Sequence, residues 1–102
     1  MKDEEGVVPQ LHLFAQNAYH DPAYVVGDRA GLEALARAIK DALSGKPAVA
    51  EVFANDGEGY ACTVALVTDE QMEAMPLAYT ADYARDDAPL PRWIRDVPWR
   101  RP

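Results

Sequence analysis

The clearest pattern in the chain lies in its first half. Leu32, Leu35, Ala36, Ile39, Ala42 and Leu43 recur at i, i+3, i+4, i+7, i+10 and i+11, an apolar stripe at helical spacing. Glu33, Arg37, Lys40 and Asp41 fall on the other face, where Glu33–Arg37 and Arg37–Asp41 are spaced as i, i+4 ion pairs. Asp28 supplies an N-cap, Gly45 a left-handed C-terminal stop, and Pro47 forbids continuation, so a helix is predicted over about residues 28–44. Around it the period changes to two. Leu11, Leu13 and Ala15 alternate with His12, Phe14 and Gln16, and Tyr24-Val-Val26 is a short β-type run. Ala48–Ala54 and Tyr60–Thr68 flank Asn55-Asp-Gly-Glu-Gly59, whose Gly, Asn and Asp residues accept the positive φ of a hairpin turn. Asp69–Met75 reads as a short helix capped by Thr68 or Asp69 and ended before Pro76, and Leu77–Tyr79 as a short edge strand.

This order predicts an α+β fold: a small, mostly antiparallel sheet of three to four strands with one main amphipathic helix on one face. Ala fills many strand positions, so register and sheet order stay open. A single domain over residues 1–88 is expected, opening on a frayed acidic leader over residues 1–8 and followed by a Pro-rich tail over 89–102. The 102 residues bound the core to one thin layer, because eighteen of the apolar positions are Ala. No apolar run reaches membrane-spanning length and the acidic N-terminus lacks a signal-peptide pattern. One Cys excludes an internal disulfide and fits a reducing compartment, so a bacterial cytoplasmic location is expected.

Net charge is −7, unevenly placed. Residues 1–87 hold six basic and sixteen acidic side chains, whereas residues 88–102 hold four Arg against Asp96. An acidic body repels phosphate backbones and attracts basic protein surfaces, so no nucleic-acid or membrane partner is expected. Trp93 and Trp99 in the basic tail are costly to leave in water. Two placements satisfy them: folding back on the acidic body, or docking on a partner as hot-spot residues.

Candidate chemistry is sparse. Cys62 with His12 or His20 offers a thiol and a base. Yet Cys62 sits mid-strand between Ala61 and Thr63 with no catalytic signature beside it, and reads as a small core residue. His12, His20 and Asp21 lack the close ligand spacing of a metal site. Asp56-Gly-Glu-Gly59 lacks the ligand alternation of an EF-hand and reads as a turn. No catalytic residue, metal or cofactor is expected.

The stretch Val25-Val-Gly-Asp-Arg-Ala-Gly-Leu32, continuing Glu-Ala-Leu-Ala-Arg-Ala-Ile39, places Gly27-Asp28-x-x-Gly31-Leu32 between a strand and a helix. It resembles the helix opening of small immunity proteins of bacterial polymorphic toxin systems. The resemblance spans residues 25–39 and implies a non-enzymatic cytoplasmic inhibitor that binds one cognate toxin. On that reading the partner-binding residues are carboxylates and aromatic anchors: Asp56, Glu58 and Tyr60; Asp82, Tyr83, Asp86 and Asp87; and His20 with Asp21. The alternatives are a self-associating structural domain, monomer or homodimer being open, and a small ligand-binding or enzymatic domain.

Overall fold

The computed structural model describes residues 8–81. The leader up to residue 7 and the segment 82–102, including the expected tail, lie outside the described residues. The fold is α+β, with the order β1 (Leu11–Phe14), β2 (Tyr24–Gly27), α1 (Arg29–Leu43), β3 (Ala48–Phe53), β4 (Gly59–Val64) and α2 (Asp69–Glu73). No helix among these residues is long and apolar enough to cross a membrane.

The four strands form two antiparallel ribbons. β1 pairs with β2 in the register Leu11↔Gly27 to Phe14↔Tyr24, and β3 with β4 in the register Ala48↔Val64 to Phe53↔Gly59. Between the ribbons, one parallel bridge, Gln10↔Phe53, is formed among the described residues. The reason is local. The Gln10 amide donates to Asp28 Oδ1 (3.1 Å) and its carbonyl accepts from the Asp28 amide (3.1 Å), so both face β2; on the side facing β3 the Leu11 carbonyl is taken by the Tyr60 hydroxyl. Pro9, which has no amide, contributes only its carbonyl, accepting from Phe53 N at 2.9 Å.

α1 begins where Asp28 accepts from the Gly31 amide at 2.8 Å and ends at Gly45, whose φ of 106° is the left-handed stop. It packs on one face of the β3–β4 ribbon. Leu11, Ala38, Ala50 and Val52 form the buried core, with Ala34, Leu35, Ala48, Tyr60, Cys62 and Val64 packed against it.

The expected stripe is only partly inward. Ala42 is buried and Leu35 half-buried, but Leu32, Ala36, Ile39 and Leu43 are exposed, while Gly31 and Ala38 take core positions. A two-stranded ribbon is only about 5 Å between strand axes and covers a narrow arc of helix. The small-residue line of α1 lets the ribbon approach closely, and the bulkier line is left to one side. The Glu33–Arg37 and Arg37–Asp41 spacings are likewise not the ones used; the ion pair among the described residues is Arg29–Glu33, at 3.7 Å. In β1 only Leu11 is buried; Leu13 and Ala15 are exposed because the ribbon runs on past the core.

α2 is capped by Thr68, which accepts from Gln71 N while Gln71 Oε1 accepts from Thr68 N, a reciprocal capping box. Leu77–Tyr79 forms no strand. The chain instead pairs just beyond, where Thr80 N donates to Gln16 O (3.1 Å) and Ala81 N to Asn17 O (2.8 Å). Tyr79 packs edge-on against Tyr19, with ring centroids 5.2 Å apart.

Candidate protein-binding surface

The β3–β4 turn is built by its own polar groups. Ala54 N donates to Glu58 O (2.8 Å), Gly57 N to Ala54 O (3.0 Å), and Glu58 N to Asp56 Oδ1 (3.0 Å). Gly57 has φ 97°, a conformation that costs a residue with a Cβ. Asp56 is therefore partly consumed in shaping the turn, while the Glu58 side chain is exposed.

The turn is tied to β1 across the gap between the ribbons. Asn55 N donates to His12 Nε2 at 3.1 Å, which places the ring proton of the neutral imidazole on Nδ1. The His12 ring lies against Phe14, centroids 5.8 Å apart. The Tyr60 hydroxyl donates to the Leu11 carbonyl. Burial, and secondarily the neighbouring Cys62, push the Tyr60 hydroxyl above its ordinary pKa of 10.0. Between these two ties opens a shallow groove of ≈ 240 Å³ lined by Leu11, His12, Leu13, Phe14, Ala54 and Tyr60. Its walls are mostly apolar, and the Asp56–Glu58 turn follows directly from the lining residue Ala54.

The expected binding residues separate into groups. Asp56, Glu58 and Tyr60 belong to one turn and strand, with Tyr60 half-buried by its bond to β1. His20 and Asp21 are exposed in the β1–β2 loop. There His20 adopts φ 64° and Asp21 accepts from Ala18 N at 3.2 Å, so they shape that loop. No hydrogen bond or ion pair among the described residues joins this loop to the Asp56 turn. Asp82, Tyr83, Asp86 and Asp87 lie outside the described residues. Leu13 and Phe14 were missed as surface residues. The signal was one residue: Phe14 breaks the alternation of Leu11 and Leu13 with His12 by placing an apolar side chain on the polar face of the strand. Burial raises the pKa of the Cys62 thiol above 9.0, the opposite of what a nucleophile needs, and Cys62 packs against the core.

No family model, curated protein or solved structure matches this chain.

Proposed function

We propose that the protein is a non-enzymatic, immunity-type inhibitor that acts in the bacterial cytoplasm by binding one cognate toxin. The observation that carries this reading is the apolar groove of Leu13, Phe14 and Tyr60 beside the turn bearing Glu58. An apolar centre with a charged rim is how protein interfaces divide affinity from steering. The partner would present a basic surface carrying an apolar or aromatic side chain that fills the groove. The charge of −7 favours encounter with such a surface.

The partner is sought as the product of the adjacent upstream gene, a secreted protein with a variable toxic C-terminal domain, or by affinity capture from the native host. With the pair in hand, Phe14→Ala should weaken binding by about 2 kcal/mol, mainly through faster dissociation. Glu58→Lys should slow association and flatten its salt dependence. Unchanged kinetics for both variants would remove this surface from the interface. A second reading, self-association, is favoured by β2, whose outer edge has no ladder partner among the described residues. A particle of strictly monomeric mass in light scattering argues against it.

A further inference from the structure

Leu32, Ala36, Ile39 and Leu43 fall at i, i+4, i+7 and i+11 on α1, one line along the helix, and all four are exposed, Leu43 at 66%. The line continues onto the first ribbon. A Cβ placed on Gly27 would lie 3.4 Å from Leu32 Cγ, so Leu32 abuts the end of β2. Val25, two residues back and on the same ribbon face, stands opposite Leu13, and both are about half exposed. An apolar strip thus runs from Val25 across Leu32 to Leu43, about 16 Å along the helix alone. Soluble chains rarely leave so continuous a strip in water.

The remainder of the chain starts in the right place to cover it. Thr80 and Ala81 are bonded to Gln16 and Asn17, just beyond the end of β1. Residues 82–89 can span up to about 26 Å when extended, enough to carry the following segment over the strip. That segment holds both Trp residues of the chain, Trp93 and Trp99, with Leu90, Ile94 and Val97. Charge selects it over a second copy: two bodies of the same acidic sign repel, whereas the four Arg of residues 88–102 oppose the sixteen acidic residues before them. We propose that residues 90–99 dock in cis on the strip formed by Val25, Leu32, Ile39 and Leu43, independently of the toxin-binding reading.

Because both Trp residues lie in this segment, tryptophan fluorescence of the full-length chain, excited at the red edge where the five Tyr do not absorb, reports on it alone. The expected emission is blue-shifted, weakly quenched by acrylamide and unchanged on serial dilution. Ile39→Ser and Leu43→Ser, at exposed positions, should each shift emission to the red and raise quenching while helical circular dichroism is retained. Emission typical of water-exposed tryptophan in the native protein overturns the proposal. So does a blue shift that disappears on dilution together with a dimeric mass, which would assign the strip to a second copy. A blue shift indifferent to both substitutions, with the helix intact, places the Trp residues elsewhere and overturns it as well.

Discussion

At the scale of single residues, Gly27-Asp28-x-x-Gly31 is a clasp around Gln10. Asp28 holds both backbone groups of Gln10 and caps α1 through Gly31 N. A Cβ on Gly31 would fall 1.9 Å from the Gln10 carbonyl oxygen, and one on Gly27 2.7 Å from the same atom. Gly→Ala within a helix ordinarily gains up to about 1 kcal/mol. Here the sign should reverse: Gly31→Ala must push β1 away from α1 and should cost about 1–3 kcal/mol in urea unfolding. A stabilised Gly31→Ala protein would show that β1 does not pass this close. The bonds from Gly31 and then Gln10 hold the Asp28 carboxyl below its ordinary value of 3.8. Its folded-state pKa is thus the lower one. The stabilisation is complete above about pH 4–5 and is lost as pH falls through the folded value. Asp28→Asn keeps an N-cap but cannot titrate, so its stability should vary less with pH between neutral and strongly acidic solution than the parent's. An identical acid limb in both proteins would contradict the assignment.

At the scale of elements, what was legible in the sequence follows from local chemistry. Asp28 and Thr68 as caps, Gly45 as a stop and Gly57 in a turn each act on backbone atoms a few residues away, so their effect is written in the neighbouring residues. The rotation of α1 was not legible. A stripe containing Leu32, Leu35, Ile39 and Leu43 is wider than the partner it meets, and hydrophobicity alone cannot tell which edge of the stripe is covered. The width of a two-stranded ribbon and the passage of Gln10 over Gly31 decide it. Substitution separates the two classes of apolar position. Val52, fully buried, should cost about 2 kcal/mol or more as Val52→Ala. Val26, 55% exposed on the first ribbon and outside the strip, should tolerate Val26→Thr, a β-branched replacement, within about 0.5 kcal/mol. Equal losses at the two positions in thermal unfolding would mean that the first ribbon belongs to the main core.

At the scale of the whole molecule, the described residues comprise one core and one attached ribbon. Leu11, Ala38, Ala50 and Val52 tie α1 to the β3–β4 ribbon, whereas β1–β2 reaches that core through Leu11 and a few polar ties: the Gln10 clasp, His12 to Asn55, and Tyr60 to the Leu11 carbonyl. Strand period and turn chemistry carry no information on which edges meet, so the division into two ribbons was not legible in the sequence. On the side of β1 that faces β3, Pro9 has no amide to donate and the Leu11 carbonyl is taken by the Tyr60 hydroxyl, forty-nine positions away, so the ladder stops at the Gln10↔Phe53 bridge. Stability should therefore be graded along β1. Near Gln10 the ribbon is clasped at both backbone groups; at the Phe14–Tyr24 end both side chains are half exposed, and the ties just beyond, from Thr80 and Ala81 to Gln16 and Asn17, reach no core residue. In native-state hydrogen exchange, amides of Val52 and Ala50 should exchange only with global unfolding. The inter-strand amides of the Phe14–Tyr24 pair should exchange far sooner, by local opening, with little dependence on denaturant. Protection of that pair equal to Val52 would contradict the gradation. Phe14 also lines the groove, so on the proposed reading partner binding should raise protection at this end of the ribbon while leaving Val52 unchanged.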